Sequence, residues 1–477
     1  MIIPPKVDGE WIGREDKHAA AGKEEILPYT PPLIYSLIRE HIPNAELQLI
    51  EAQRDGLSVE EVISNVHEMK PDIIVSFLAW THIPWDRKCA ETKFPTIAVI
   101  LQQYIDQREA VELYDLKSRY FVKQELEMPI VEALKEFEQS NDIKSTRGFL
   151  IRDGQNLIDT GDAPLADITR FPLPAFDVFE PEKYYKLRES NPFVQRHPVR
   201  IAHFNTMKGC PFKCTYCGQA SKGQGVRYQT TQQVIKQIDF FVRKYNVFNF
   251  VFFDNEFAVN LRRAKEICRE IISKKLKVKY IVNNRVELFD DDLIELMANS
   301  GCESVKLGIE TCDPSLQRYV NKKIDLNMAK MTISRLRDAG VRIHLYMTPG
   351  IPGETKESLK MNAHFIADVD PNTFSTGPLF LMPNSTIYKH IKKSGKLLET
   401  DWSKYRSKEK LCYINESYKN IGEILNAERY LRMMAYFYLF INKLRKGRVN
   451  IGFFYCFIAY TRLGSLIRSF FLRIEKM

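Results

Sequence analysis

The chain has 477 residues, is 44% hydrophobic and 27% charged, and carries a net charge of +9, which fits a globular protein of two or three domains. Its nine cysteines are an odd number and only three of them cluster, so a secreted disulfide framework is excluded and a reducing cytosol is expected. The amino terminus lacks the apolar core of a secretory signal, and no run of about 18 apolar residues is present, so we expect a cytoplasmic protein without a membrane-spanning helix.

Residues 1–160 alternate short apolar runs with helical patterns. A helix is predicted from Pro31-Pro32 to Ile42, and a Ser58–Glu61 capping box predicts another that ends near Met69. The runs that read as strands are 47–50, 72–78, 96–101 and 120–122. Continuous apolar strands between helices predict a parallel sheet covered on both faces, and therefore a doubly wound, Rossmann-like domain.

Residues 161–197 are punctuated by prolines and predict an extended linker. Residues 198–395 then repeat a strand and a helix. The predicted strands are Ile201–Phe204, Asn249–Phe253, Tyr280–Asn283, Ser304–Gly308, Ile343–Met347 and Phe374–Leu381. Six strands with helical crossovers predict a partial (β/α)6 barrel of the TIM type, with functional residues at the carboxyl ends of its strands.

Three cysteines, Cys210, Cys214 and Cys217, follow the first barrel strand within eight residues. A loop this short can direct three sulfurs to one inorganic centre. Three thiolates on a [4Fe–4S] cluster would leave one iron open to a substrate or cofactor. The spacing also permits a zinc site completed by His203 or by a distant cysteine, or three unrelated core cysteines.

The pattern C-x3-C-x2-C, with Tyr216 before the last cysteine, resembles the signature of the radical S-adenosylmethionine (radical SAM) enzymes. In that family SAM chelates the open iron, and an electron from the cluster breaks its sulfonium bond to give a 5′-deoxyadenosyl radical. The resemblance therefore implies a [4Fe–4S] cluster on Cys210, Cys214 and Cys217, SAM, and an electron donor such as flavodoxin or ferredoxin.

The resemblance also implies SAM contacts at the ends of the barrel strands. They are Tyr216, Asp254, Glu256, Arg285, Glu310, Gly350 and Gly353. Asp254 and Glu256 would accept hydrogen bonds from the methionine ammonium, and Arg285 would bind its carboxylate. A carboxylate at a helix amino terminus, favoured by the helix dipole, is the alternative interpretation of Asp254 or of Glu310 taken alone.

The two remaining groups of contacts concern the nucleoside part of SAM. Glu310 would accept hydrogen bonds from the ribose hydroxyls. Gly350 and Gly353 would let the backbone pass close to adenine. A simple turn is the alternative for these glycines, but charged or glycine-rich clusters at five successive strand ends favour one shared site.

The first domain resembles the cobalamin-binding domain that precedes many radical SAM barrels. The likeness rests on Pro31-Pro32-Leu33, on Lys70–Ile74 and on the proline-rich segment 172–177. The motif Asp-x-His-x-x-Gly is absent, and Gln102, Gln103 and Tyr104 stand where the family has glycines. Two interpretations therefore remain: a corrin-binding domain, or a Rossmann-like domain without its cofactor.

Residues 396–477 predict a helical region, with a clear helix over 424–444. Beyond it, Arg462, Ser465, Ser469 and Arg473 share one face of a basic amphipathic pattern. A helix of this kind could lie on an anionic membrane surface. Alternatively, its apolar face could pack on the barrel. The aromatic residues here indicate a hydrophobic small-molecule substrate, and no nucleic acid is expected.

The sequence thus predicts a radical SAM enzyme that transfers a methyl group, with cobalamin, to an unactivated position of a biosynthetic substrate. A cobalamin-independent rearrangement, cyclisation or oxidation is the first alternative. A non-enzymatic iron–sulfur sensor or scaffold is the second. No individual catalytic residue is assigned.

Overall fold

The structure is a computed structural model that describes residues 1–8, 10–12, 21–22, 25–101, 105–192, 194, 198–218, 225–405 and 411–445. The amphipathic pattern predicted over 453–477 lies outside these residues. Among the described helices, none is both long enough and apolar enough to cross a membrane.

The first sheet has seven strands, of which five are parallel and two form an antiparallel hairpin at one edge. They are β1 (Ile2–Ile3), β4 (Ile50–Glu51), β5 (Ile74–Ala79), β6 (Thr96–Leu101), β7 (Tyr120–Val122), β8 (Phe149–Asp153) and β9 (Asn156–Asp159), in the spatial order β4-β1-β5-β6-β7-β8-β9. Strands β5 and β6 are buried along their whole length, as their continuous apolar runs predict. A short ribbon of β2 (Trp11–Ile12) and β3 (Ala21–Gly22) lies outside the sheet.

The helices of this region include both predicted ones. They are α1 (Thr30–His41), α2 (Ala52–Asp55), α3 (Val59–Met69), α4 (Ile83–Ala90), α5 (Gln107–Leu113), α6 (Glu127–Ser140), α7 (Phe176–Phe179) and α8 (Pro181–Ser190). The predicted capping box begins α3: Glu61 N donates to Ser58 Oγ (3.1 Å), and Ser58 N donates to Glu61 Oε2 (2.7 Å). The linker is not extended throughout, since α7 and α8 lie within it, and Pro181 begins α8 where a missing N–H costs nothing.

The second sheet has six parallel strands in sequence order, which confirms the prediction of a partial barrel. They are β10 (Ile201–Phe204), β13 (Asn249–Phe252), β14 (Lys279–Asn283), β15 (Cys302–Glu310), β16 (Arg342–Met347) and β17 (Thr373–Thr376). The accompanying helices are α9 (Thr231–Tyr245), α10 (Leu261–Ser273), α11 (Asp291–Asn299), α12 (Pro314–Tyr319), α13 (Leu326–Asp338), α14 (Lys356–Val369) and α15 (Thr386–Lys393). A ribbon of β11 (Met207–Lys208) and β12 (Arg227–Tyr228) flanks the cysteine loop.

The last strand is shorter than predicted, because β17 ends at Thr376 rather than Leu381. Pro378 has no N–H to continue the ladder. Leu379 N instead donates to Pro349 O (2.7 Å), so this segment is held against the loop after β16.

The carboxyl-terminal helix α16 (Ile421–Arg445) packs against α14. Its bounds agree with the predicted helix over 424–444. One hydrophobic core contains side chains from the first sheet, the second sheet and α16, so the regions are packed together rather than merely tethered.

Candidate active site

The cysteine loop begins at the carboxyl end of β10, the edge at which barrel enzymes place their chemistry. Cys214 is buried, whereas Cys210 and Cys217 are half-buried. Gly209 adopts a positive φ of 82°, and its carbonyl accepts a hydrogen bond from Asn255 Nδ2 (3.0 Å). Asn255, in the loop that follows β13, therefore helps to fix the entry to the cysteine loop.

The loop is also anchored to the segment that follows α12. Thr215 donates from its N to Val320 O and from its Oγ1 to Tyr319 O, both at 3.0 Å. Asn321 Nδ2 donates to Lys213 O (2.8 Å). These bonds hold the three cysteines in place over the barrel without using a thiol.

Burial disfavours the thiolate forms of Cys210 and Cys214. Burial raises the pKa of Cys210 to about 12 and also raises the pKa of Cys214. Lys322 and Arg285 act in the opposite direction on Cys214, and Arg285 Nη1 lies 3.8 Å from its sulfur. A bound metal centre deprotonates such thiols outright.

In the described part of the chain, no group of three His, Cys, Asp or Glu side chains is arranged to hold a metal ion. An iron–sulfur cluster differs from a single ion because each cysteine binds a different iron. Three thiols on one tethered loop, with cations beside them, are the donor set that such a cluster requires.

Asp254 is fully buried, and its carboxylate binds the backbone beside the cysteine loop. Its Oδ1 accepts hydrogen bonds from Thr206 N (2.7 Å) and Met207 N (3.0 Å), and its Oδ2 accepts one from the Thr206 hydroxyl. Asp254 thus joins the end of β13 to the chain leaving β10. Its contact with a methionine ammonium stays a prediction.

Glu256 is half-buried in the same group. Burial raises its pKa to about 7, although Lys322 and Arg285 lie close enough to oppose the shift. No hydrogen bond joins its carboxylate to another described residue. This acid therefore has both oxygens available to a ligand.

Arg285 is buried and already has partners. Its Nε donates to Glu287 Oε1 (2.6 Å), and its Nη2 donates to Lys322 O (2.6 Å). Its guanidinium also lies 4.1 Å from the ring centroid of Phe212. These contacts indicate that Arg285 positions the cysteine loop. A methionine carboxylate bound to Arg285, as predicted, would share its guanidinium N–H groups with these partners.

Glu310 ends β15 in an uncommon backbone conformation. Its φ is 66°, and the register with β16 shifts between Gly308 and Glu310, which marks a bulge. Its Oε1 accepts from Lys322 Nζ (2.8 Å) and Tyr216 OH (3.0 Å), while Oε2 accepts from Thr348 Oγ1 (2.5 Å). Burial alone would raise the pKa of Glu310, but Lys322 and these hydrogen bonds lower it.

Lys322 is a site residue that sequence reasoning missed. It lies just after α12, is buried, and donates to Glu310 Oε1 and, more weakly, to Tyr216 OH (3.3 Å). A Cβ on Gly308 would lie 2.4 Å from Glu310 Oε1 and 2.5 Å from Lys322 Nζ, so the missing side chain makes room for this ion pair. No signal in the sequence pointed to Lys322, because it lies after α12 and not at the end of a barrel strand.

The two predicted glycines lie in the loop after β16 and differ in their surroundings. A Cβ on Gly350 would lie 2.9 Å from Tyr413 OH and 3.0 Å from Ile424 Cγ2, so this glycine lets the carboxyl-terminal segment approach. A Cβ on Gly353 would meet Leu316 at 3.5 Å, an ordinary contact. Gly353 has the positive φ of a tight turn, and the space around its Cα is more open than the space around the Cα of Gly350.

The carboxyl edge of the first sheet is packed with aromatic side chains where β5 ends. The buried ring of Trp80 lies 6.1 Å from Phe380, 6.1 Å from Trp402 and 6.3 Å from Tyr405, centroid to centroid. Ligands of doubly wound domains bind in a crevice at this edge. In the described residues, these rings fill the space directly beyond the end of β5.

Two further groups of residues follow strands at the same edge. His82 is fully buried, with its Nδ1 2.8 Å from Thr81 Oγ1. Gln102, Gln103 and Tyr104, which follow β6, lie outside the described residues.

Comparison with known proteins agrees with this architecture. Residues 204–366 match the Radical SAM superfamily. An uncharacterized methyltransferase of Pyrococcus horikoshii is 21% identical over 394 residues, which are 79% of this chain and 81% of the relative. The anaerobic magnesium-protoporphyrin IX monomethyl ester cyclase of Cereibacter sphaeroides is 24% identical over 408 residues, 81% of this chain but only 64% of the cyclase.

Among solved structures, the cobalamin-dependent S-adenosylmethionine radical enzyme OxsB, with aqua-cobalamin and S-adenosylmethionine bound, has a similar fold. The TM-score is 0.68 at 14% identity, over 95% of this chain and 74% of OxsB. This likeness extends through the first domain as well as the barrel. With three cysteines at the end of the first barrel strand and the superfamily match around them, the chain is an enzyme whose residues 204–366 form a Radical SAM domain, the domain of a superfamily that uses a [4Fe–4S] cluster and SAM.

Proposed function

We propose that this enzyme cleaves SAM reductively at the Cys210–Cys217 loop and uses the resulting 5′-deoxyadenosyl radical to remove a hydrogen atom from a small-molecule substrate. The observation that supports the proposal is the cluster of charged groups around this loop. Two buried cations, Lys322 and Arg285, and two acids, Glu256 and Glu310, lie at the same end of the barrel.

A [4Fe–4S] cluster held by Cys210, Cys214 and Cys217 would supply the electron for the cleavage. Charged side chains beside the cysteine loop favour binding of the cluster there. Lys322 and Arg285 favour the thiolate form of Cys214. Cys214 is the buried member of the three, so the shielding from water that limits side reactions is greatest at this thiol.

The charges of these side chains are complementary to the carboxylate and the ammonium of the methionine part of SAM. Lys322 is a cation suited to the methionine carboxylate, and it joins Arg285 in that proposed role. Glu256 has a carboxylate without a hydrogen-bond partner in the described chain, and it would accept from the methionine ammonium, whose charge would keep it ionised. A ribose hydroxyl at Glu310 would replace or share the hydrogen bond from Thr348. Gly353 is the better candidate for the approach of adenine.

The direct test is anaerobic reconstitution with iron and sulfide, followed by dithionite and SAM. We expect the wild-type chain to release 5′-deoxyadenosine and methionine, and Cys214→Ala to lose iron and product together. Cys312→Ala, which changes a buried cysteine elsewhere in the barrel, should keep both. An intact cluster without product would favour the sensor or scaffold alternative, and SAM cleavage by Cys214→Ala would refute the assigned ligands.

For the fate of the substrate radical, methyl transfer with cobalamin is the first candidate. It is supported by the fold shared with OxsB and by the methyltransferase relative of Pyrococcus horikoshii. The test is incubation with hydroxocobalamin followed by gel filtration. Corrin absorbance that elutes with the protein at one equivalent supports this candidate, and its absence removes it.

A cobalamin-independent rearrangement, cyclisation or oxidation is the second candidate. The packing of Trp80 against Phe380, Trp402 and Tyr405 favours it, because these rings take up the crevice above β5. The cyclase relative of Cereibacter sphaeroides is consistent with it. If no corrin binds, a substrate that incorporates no methyl group from labelled SAM would support this candidate.

We further propose that reduced flavodoxin or ferredoxin delivers the electron in the cell, and that the basic segment 453–477 contacts a membrane surface. Reduced flavodoxin should replace dithionite in the SAM-cleavage assay. Sedimentation with anionic vesicles should require that segment, and equal sedimentation of a chain that ends at Arg445 would refute the membrane contact.

A further inference from the structure

The inner face of the barrel is polar along β15 and β16. Gly308 faces the Glu310–Lys322 pair, so residues two and four positions earlier, Lys306 and Ser304, share that inner face. The alternate residues are buried against the helices: Val305, Leu307, Ile309, Ile343, Leu345 and Met347. A closed TIM barrel fills its interior with bulky apolar side chains. Here the inward positions are polar and accessible, as a ligand chamber requires.

Lys306 occupies the middle of this inner face. It pairs in register with Asn283 on β14 and with His344 on β16. His344 is held on both sides, with its Nδ1 2.8 Å from Thr373 Oγ1 and its Nε2 3.1 Å from Ser375 Oγ. These polar groups form one row across four adjacent strands. The next residue of β16 on the same face is Tyr346, which is 37% exposed.

The charge of Lys306 is not balanced by the described residues. Its side chain is half-buried and loss of water lowers its pKa, yet no described carboxylate forms an ion pair with it. Both acids of β15 already have partners. Glu303 Oε1 lies 3.6 Å from Arg342 Nη1, and the carboxylate of Glu310 accepts hydrogen bonds from Lys322, Tyr216 and Thr348. A partly desolvated ammonium is costly unless an anion offsets it.

We infer that Lys306 binds an anionic group of the substrate, a carboxylate or a phosphate, inside the barrel. This inference rests on the proposed function. Lys306 precedes Glu310 by four residues, roughly 13 Å along a strand, so a metabolite anchored at Lys306 would extend toward the cysteine loop. The bound anion would therefore mark the end of the substrate that lies farthest from the radical, with the polar side chains of His344 and Asn283 on either side of Lys306.

The test uses the full-length chain, with inorganic phosphate and succinate as separate probes in titration calorimetry. We expect one probe to bind the wild-type chain, which identifies the kind of anion, and Lys306→Met to weaken that binding about tenfold or more. Lys306→Arg should retain most of it. The control is Lys279→Met, which removes an exposed lysine at the far end of β14.

Equal weakening by Lys306→Met and Lys279→Met would mean that only general charge attracts the probe, and would overturn the inference. So would the failure of both probes to bind the wild-type chain. Thermal unfolding of each variant shows whether it is folded. Release of 5′-deoxyadenosine by the wild-type chain is measured separately, and its absence would refute the proposed function while leaving the binding result readable.

Discussion

Lys322 and Glu310 form a buried ion pair beside the cysteine loop, with Nζ 2.8 Å from Oε1. Neither charge is stable there alone, because burial penalises both ionised forms. The Tyr216 and Thr348 hydroxyls complete the coordination of the carboxylate. Tyr216 therefore contributes to the site through Glu310, which the sequence alone did not show.

We predict that Lys322→Met lowers the free energy of unfolding by about 3 kcal/mol, because it leaves Glu310 buried without its partner. The double variant Lys322→Met/Glu310→Gln should recover part of this loss, since neither charge remains. Chemical denaturation of the iron-free chain measures both.

The matched control is Lys323→Met, which removes the adjacent, exposed lysine and should change stability by less than about 0.5 kcal/mol. Losses that simply add in the double variant would show that Lys322 and Glu310 do not depend on each other.

Sequence reasoning located the cysteines and the acids at the strand ends because their positions follow from the βα repeat. It could not find Lys322, since Tyr319–Lys323 reads as an ordinary basic stretch and only the fold turns one of its two adjacent lysines inward. It also gave Arg285 and Asp254 ligand roles, although their polar atoms bind the protein itself.

At the scale of elements, the loop after β16 is joined to the carboxyl-terminal segment through Glu354. Its Oε2 accepts from Gly350 N (2.7 Å) and from Tyr418 OH (2.5 Å). Its Oε1 has no hydrogen-bond partner in the described chain. Burial raises the pKa of Glu354 from 4.5 to about 7.

This pKa predicts a pH dependence of stability. Because the folded chain binds the proton more tightly than the unfolded chain, Glu354 contributes most below about pH 4.5, and the contribution is lost as the pH rises through about 7. Glu354→Gln mimics the protonated acid. Relative to this variant, the wild-type chain should lose about 3 kcal/mol between pH 4.5 and 7.5.

Urea unfolding of both chains across this range checks the prediction. Parallel stability curves would contradict it. Glu256, whose pKa is also about 7, remains in both chains, and its effect therefore cancels in the comparison.

The elements themselves were largely predictable where periodicity was strong, as in β5, β6 and the capped helix α3. The hairpin of β8 and β9 was not, because β9 is mostly exposed and carries little apolar pattern. The predicted end of β17 was also wrong, since Pro378 cannot continue the ladder and Leu379 N donates to Pro349 O in the loop after β16.

At the scale of the whole molecule, two buried ion pairs join the first domain to the ribbon beside the cysteine loop. Arg227 makes two hydrogen bonds to Glu125, from Nη2 to Oε1 (2.7 Å) and from Nη1 to Oε2 (2.9 Å). Lys208 Nζ lies 2.6 Å from Glu127 Oε2. Because Lys208 is only two residues before Cys210, the first domain helps to position the cysteine loop.

We predict that Arg227→Met destabilises the chain by about 3 kcal/mol, because Glu125 is left buried without its cation. Hydrogen exchange should rise at β11, β12 and the start of α6, where the domains meet. Arg243→Met, which removes an exposed helical ion pair with Asp239, should alter neither quantity. Faster exchange confined to β12 would mean that the pair is local and does not join the domains.

The metal content of the chain purified under nitrogen tests the central claim most directly. The account predicts a brown protein with about four irons per chain, and a reduced cluster whose electron paramagnetic resonance spectrum changes when SAM is added. A colourless protein that contains zinc, or a cluster whose spectrum does not respond to SAM, would contradict it.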